Sequence, residues 1–157
     1  LLTGHTSGIG LDLACASDHR LASKSAVLSD GRVKEASHVA TGITHMLPRL
    51  IGLSQATRLI LLGDKLPAEE ALRMGLVHEV YSDKDFEKQT KEFIDTIARL
   101  ATRSYSIIKE QTIEQLDMPY EWALKHSLAV RQTNVIEDRM EAADAFREKR
   151  DPEFSGR

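Results

Sequence analysis

Apolar residues are spaced differently in the two parts of the chain. Near the start they come in short groups broken by Ser, Asp and Gly. From Thr44 onward they recur at helical spacing between Gly and Pro stops. Leu1 to Gly10 reads as the end of a strand entering a Gly-rich turn. Leu11 to Ser17 reads as a short helix with Leu13, Ala14 and Ala16 available for packing, and Asp18 to Ala22 as a strand with Leu21 inward. Ser23 to Val39 reads as a loop that holds one short strand, Ala26–Leu28.

The later pattern predicts a run of helices. Thr44 to Ile51 ends at Gly52, and Ser54 is placed to cap a helix running through Leu62 to a stop at Gly63. Pro67 suits the first position of a helix to Met74, before Gly75. Leu76 to Tyr81 suits a strand. Asp83 is placed to cap a long amphipathic helix carrying Phe86, Phe93, Ile94, Ile97 and Leu100. Helices are also predicted at Ser104–Leu116, from Pro119 to about Val135, and at Glu137–Lys149. The last puts Met140, Ala143 and Phe146 on one stripe, and Asp151-Pro152 breaks it. Two regions follow from this: residues 1–82, which hold the strands, and a helical region, 83–157.

Composition narrows the function classes. Lys plus Arg is 21 against 24 Asp plus Glu, so there is no cationic excess to neutralise phosphates, and a nucleic-acid partner is not expected. The longest aliphatic run is Leu59–Leu62, far below the roughly 20 residues that cross a bilayer, so no membrane span is expected. Cys15 stands alone, which excludes an internal disulfide. Glu35, His38 and His45 are near one another but lack metal-ligand spacing, so no metal is expected. The chain opens on Leu1-Leu2-Thr3-Gly4, which reads as a strand end, and a preceding N-terminal portion is expected.

Two sets of motifs compete. Thr3-Gly4-His5-Thr6-Ser7-Gly8-Ile9-Gly10 fits T-G-x-x-x-G-I-G, and Tyr105-Ser106-Ile107-Ile108-Lys109 supplies Y-x-x-x-K. Together they resemble the short-chain dehydrogenases, whose glycines bring a helix N-terminus to a dinucleotide pyrophosphate. That resemblance implies an NAD(P)-dependent oxidoreductase. The surrounding chain lacks the repeated βαβ units this needs. Asp30 lies about 20 residues beyond the turn, but not at the end of an apolar strand.

The second set is longer. Leu47-Pro48-Arg49-Leu50-Ile51-Gly52, Ala56 and Leu59, Leu62-Gly63, Pro67-Ala68-Glu69-Glu70-Ala71 and Gly75-Leu76-Val77 follow in order. This series resembles the crotonase (enoyl-CoA hydratase/isomerase) superfamily. So do Gly4 to Gly10 as its Gly-rich turn, Asp12-Leu13-Ala14, Asp18 to Ala22, and the tail Ala145 to Pro152. The resemblance covers nearly the whole chain.

It implies an α/β fold, a crotonase-like ββα superhelix present in part, with its N-terminal sheet missing and a helical C-terminal trimerisation region. It implies an acyl-CoA thioester as substrate and no separate cofactor, coenzyme A being part of the substrate. Homo-trimers or hexamers, and a bacterial cytoplasm or organelle matrix, are implied too. The reaction would be hydration or isomerisation through an oxyanion held by backbone N–H groups. The Ile9 N–H matches one donor, at a helix opened by Gly8-Ile9-Gly10. Asp12 matches one catalytic carboxylate and would serve as acid or base if burial raises its pKa; alternatively it only favours the helix N-terminus. Arg32 stands where hydratases carry a second Glu, and Ala36 where a Gly commonly follows. Arg32 could pair with Asp12, bind a substrate carboxylate, or be solvated. His5 and His45 are candidates for acid/base work near the site. Phe146, Lys149 and Arg150 match a helix that helps cover the CoA nucleotide. A non-catalytic acyl-CoA-binding protein remains an alternative, because Arg32 replaces an acid.

Overall fold

A computed structural model describes all residues, 1–157. The Gly-rich stretch holds a strand as well as a turn: β1 (His5–Ser7) runs parallel to β3 (Val27–Ser29), with His5 opposite Val27 and Ser7 opposite Ser29. β3 pairs antiparallel with β4 (Leu66–Pro67). A second sheet pairs β2 (Leu21–Ser23) with β5 (Glu79–Tyr81), in parallel. Leu2 bridges to Ala22 of this second sheet, so the chain passes from one sheet to the other between Leu2 and His5. Gly4 makes that step at φ 59°, a backbone region that side chains disfavour.

Helix α1 (Ile9–Ala16) buries Leu11, Ala14 and Cys15. They join Leu28 and Leu66 from the sheet and Ile43, Leu47, Ala56, Leu59, Ala68, Ala71 and Leu76 in one core. Several of these are the small or branched residues of the ordered motif series. The core helices are α2 (Ile43–Ile51), α3 (Leu53–Leu62) and α4 (Ala68–Arg73). Gly52 ends α2 and opens α3 at φ 77°, which leaves Ser54 inside α3 rather than at its cap. Pro67 caps α4 from one residue outside it.

Arg20 is buried and closes the end of α1. Its Nε donates to the Leu76 carbonyl (2.6 Å), and its Nη1 donates to the carbonyls of Ala14 (3.3 Å) and Ser17. A guanidinium there supplies donors to the last carbonyls of a helix.

Two compact units divide at Glu92 and Phe93. The division falls inside helix α5 (Phe86–Ala98), beyond residue 83 where the helical region was placed from sequence. Asp83 does not cap α5. Its Oδ1 accepts from the Ser25 N–H (3.1 Å) and hydroxyl (2.7 Å), while Ser82 Oγ accepts from the Asp85 N–H (3.2 Å).

The second unit holds α6 (Thr102–Glu114), α7 (Tyr120–Thr133) and α8 (Asp138–Glu148). In α8 the buried apolar residue is Ala145, and the Met140–Phe146 stripe faces outward. Asp138 holds the tail back against α8, accepting from the Ser155 N–H and hydroxyl and from the Gly156 N–H, each at 2.8 Å. Ile113, Leu116, Trp122 and Leu128 of this unit are exposed. No helix is long and apolar enough to cross a membrane.

Candidate active site

The site forms where β1 gives way to α1. Gly8 adopts φ 55°, ψ −120° as the N-cap, a conformation that L side chains rarely adopt, and it turns the chain from strand to helix in one residue. The first helical bond runs from the Asp12 N–H to the Gly8 carbonyl at 3.0 Å. The N–H groups of Ile9, Gly10 and Leu11 therefore open the helix with no acceptor inside it. They meet the positive end of its dipole, an arrangement that favours an anion. The Ile9 side chain is 69% exposed, so its bulk has room. A Cβ on Gly10 would meet Thr6 Cγ2 at an ordinary 3.6 Å. A groove of about 390 Å³ runs along this junction, lined in part by His5, Ser7, Gly10 and Leu13.

Asp12 lies one turn into α1 and is 5% exposed. Arg32 begins a short 3-10 turn, Arg32–Glu35, just after β3. It grips Asp12 with two parallel bonds, Nη1 to Oδ2 at 2.8 Å and Nη2 to Oδ1 at 2.7 Å. The Thr41 hydroxyl donates to Oδ2 at 2.6 Å. Arg32 is held in turn by Asp30, which is fully buried. Nε and the backbone N–H of Arg32 reach Asp30 Oδ1 at 2.9 and 3.1 Å, and Nη2 reaches Oδ2 at 2.7 Å.

Electrostatics follow from this geometry. Burial pushes the Asp12 carboxyl up, but hydrogen bonds from Arg32 and Thr41, with the charge of Arg32, outweigh burial and hold it below its ordinary value. This reverses the expectation that burial would raise Asp12 toward working pH. The same bonds, to Asp30 first and to Asp12 next, raise the guanidinium pKa and keep it charged. Of the three sequence readings of Arg32, the structure realises the pairing with Asp12. Most of its donors are engaged by aspartates, so it does not offer an open fork to a substrate carboxylate.

The other sequence candidates fall in different places. His5 is on β1, its Nε2 2.8 Å from Ser29 Oγ, and the Ser29 hydroxyl donates to Ser7 Oγ at 3.2 Å. His45 is exposed and pairs with Arg49, Nδ1 to Nη1 at 3.0 Å. Glu35 is exposed at the end of its turn. Phe146 is exposed on the second unit, where Lys149 ends α8 at φ 57°. Arg150 is engaged by Glu141 and Glu148. No three His, Cys, Asp or Glu side chains are grouped to hold a metal.

The sequence does not mark Asp30 and Thr41 as residues of this site. Asp30 carries one signal, its place two residues before an Arg, and its distance from the Gly-rich turn points only to the dinucleotide reading. Thr41 carries none. The dinucleotide reading is not supported by the sheet: β1 pairs with β3, whose other neighbour, β4, is antiparallel, so no run of parallel βαβ units follows the Gly-rich turn. Tyr105 and Lys109 lie on α6, in the other compact unit.

Comparison with known proteins agrees with this topology. The model of the enoyl-CoA hydratase/isomerase family matches residues 1–157. The chain is 35% identical over 156 residues to (E)-benzylidenesuccinyl-CoA hydratase of Thauera aromatica, covering 99% of this chain and 61% of that protein. It is 29% identical over 164 residues to carnitinyl-CoA dehydratase of Salmonella typhimurium, covering 99% and 62%. The crystal structure of an enoyl-CoA hydratase from Bacillus anthracis superposes with a TM-score of 0.91 at 31% identity, over 98% of this chain and 60% of that one. The chain thus spans about three fifths of the curated relatives it matches.

Proposed function

The chain belongs to the enoyl-CoA hydratase/isomerase family, and on that premise we propose that the protein carrying it binds an acyl-CoA thioester and catalyses hydratase or isomerase chemistry on it. The relatives named above are bacterial, and a bacterial cytoplasm or an organelle matrix suits such a metabolic enzyme. The thioester oxygen gains negative charge when a proton leaves or joins the α-carbon. The N–H of Ile9, or of Gly10 beside it, supplies one donor to that oxygen from the opening of α1. Preorganised donors of this kind are typically worth about 10²–10³ in rate. Asp12 moves the proton.

The observation that carries this reading is the position of Asp12: a buried carboxylate, one helical turn beyond an N-terminus opened by a positive-φ glycine. Because the carboxyl is held below its ordinary value, Asp12 rests as the base and donates only the proton it has just taken. Coenzyme A enters as part of the substrate, and no other cofactor is required. Exposed Phe146 and Lys149 on α8 are the candidates for contact with the CoA nucleotide. Copies assemble as trimers or pairs of trimers, for which the exposed Ile113, Leu116, Trp122 and Leu128 supply apolar surface.

One observation favours a second reading, a protein that binds acyl-CoA without turning it over. Arg32 occupies the second acidic position and is itself tied to Asp12. The deciding experiment follows the turnover of crotonyl-CoA and of longer enoyl- and dienoyl-CoAs by the full-length protein. Turnover that falls about 10²–10⁴-fold in Asp12→Asn supports the enzyme. Binding of CoA esters without turnover supports the second reading.

A further inference from the structure

We propose that Arg32, backed by Asp30, is the positioning residue of this site: it fixes the Asp12 carboxylate in one orientation and leaves it a single vacant acceptor position. This deepens the reading of Asp12 as the base, and rests on it.

The donor inventory carries the inference. A carboxylate has about four acceptor positions. Two bonds fill Oδ2 of Asp12, one from Arg32 Nη1 and one from the Thr41 hydroxyl. One bond from Arg32 Nη2 occupies Oδ1. What remains is one position on Oδ1. A carboxylate held in a two-point fork cannot rotate to present Oδ2 instead. Arg32 is equally fixed, because Asp30 takes its Nε, its backbone N–H and one Nη2 hydrogen. All three charged side chains are withdrawn from solvent, with exposures of 14% for Arg32, 5% for Asp12 and 1% for Asp30. The cluster Asp30–Arg32–Asp12 carries a net charge of −1.

That charge bears on substrate class. A substrate carboxylate approaching Arg32 would meet two aspartates that already hold it. Arg32 is accordingly not open to anchor a carboxylate on the acyl group. The titratable groups on α1 and on the elements packed against it, β1 and α2, do not supply a substitute fork. Cys15 on α1 has its thiol pushed up to about 11, chiefly by burial, with the Asp12 charge adding to it. His5 on β1 is engaged by Ser29, and His45 and Arg49 on α2 engage each other.

The test uses the full-length protein and two thioesters, crotonyl-CoA and an enoyl-CoA bearing a terminal carboxylate. In Arg32→Gln the expected result is a loss of about 10²-fold in kcat, as for other small misplacements of a reacting group. KM stays near wild type for both thioesters. The acid limb of the pH–rate profile moves up by about 1–3 units, because a cation beside the carboxylate has been removed. Arg32→Lys keeps the charge but not the fork. It retains the wild-type acid limb, still loses kcat, and remains available should Arg32→Gln fail to fold. A rise in KM confined to the carboxylate-bearing thioester would make Arg32 a substrate anchor and overturn the proposal. Wild-type kcat in Arg32→Lys overturns it too. If wild type turns over neither thioester, the catalytic reading of Asp12 falls, and this proposal with it. If wild type is active and the Arg32 variants match it, only the positioning role falls.

Discussion

The guanidinium of Arg32 and the carboxylate of Asp12 meet across two near-equal hydrogen bonds, 2.7 and 2.8 Å, from segments 20 residues apart. The pair makes the stability of the first unit pH-dependent. The folded Asp12 carboxyl sits below its ordinary value of 3.8, so the unfolded chain binds the extra proton between the two values. The stabilisation is fully present above 3.8 and is lost as pH falls through the lower folded value. In Arg32→Gln burial acts without its opponent and raises the carboxyl. That variant is expected to lose about 3–5 kcal/mol at pH 7, as for buried pairs with one partner removed. The gap to wild type then begins to close as pH falls through the variant's raised carboxyl value, and goes on closing below 3.8 as wild type loses its own stabilisation. Urea unfolding at several pH values measures it; a gap that stays constant with pH would assign the loss to packing rather than charge.

Gly63 braces the segment that carries Arg32. It ends α3 at φ 61°, and its carbonyl accepts from Lys34 Nζ at 2.7 Å. A Cβ there would lie 2.9 Å from the Asp30 carbonyl oxygen and 3.0 Å from Lys34 Cε. Gly63→Ala therefore combines left-handed strain with a backbone collision, and is expected to cost about 2–4 kcal/mol. Gly42→Ala is the control. Gly42 is also left-handed, φ 84° and ψ 2°, but a Cβ there meets nothing within 4 Å, so its cost is the strain alone, about 1–2 kcal/mol. Equal losses in chemical denaturation would mean that the Asp30 segment yields easily and is not braced by α3.

Ala36 offers the opposite change. It follows the Arg32–Glu35 turn at φ 51°, ψ 29°, where an L residue is strained by its own Cβ. Ala36→Gly removes that strain but adds freedom to the unfolded chain. The net expectation is a gain of about 0.5–1 kcal/mol, read as a higher Tm. A lower Tm would show that the turn relaxes readily around the alanine.

Much of this was legible in the sequence, for reasons that differ by element. The ends of α2, α3 and α4 were marked because Gly52, Gly63 and Gly75 each take positive φ, which few other residues accept. The Gly8 turn was legible because a helix N-terminus has a local signature, whereas Asp12 was marked as a site residue by the family resemblance. The family resemblance also marked position 36 as one where glycine is common, and the backbone there is left-handed. Strands β1 and β4 were not legible. At three and two residues they have no period to read, and they exist only through their partners on β3. Caps misled where a tertiary partner intervened, as when Ser25 takes the Asp83 carboxylate away from α5. The site's charge balance was the hardest part. Thr41 reaches Asp12 across 29 residues, and Asp30 matters only because Arg32 folds back on it.

Arg20 gives the last prediction. The sequence marks it only as part of a strand, yet it is 5% exposed and serves three carbonyls at the junction of α1 with the segment before β5. Its backbone adds two more links to His78, donating to Nδ1 at 3.1 Å and accepting from the His78 N–H at 2.8 Å. Arg20→Ala leaves the backbone links intact and removes every guanidinium donor. Carbonyls left unpaired out of water cost about 1–3 kcal/mol each. Ser17 is exposed and can turn to solvent, and the Ala14 carbonyl still accepts from the Ser17 N–H at 3.2 Å; the Leu76 carbonyl, of a fully buried residue, loses its guanidinium donor. The expected loss is therefore about 1–3 kcal/mol. Arg20→Lys reaches only some of the carbonyls with its single ammonium and recovers part of this. Arg20 acts on α1 from the end opposite the Gly8 turn, so KM for the thioester should stay near wild type in both variants. A loss below about 0.5 kcal/mol in Arg20→Ala, the range of ordinary surface substitutions, would mean that water replaces the guanidinium and that the junction is held by packing alone.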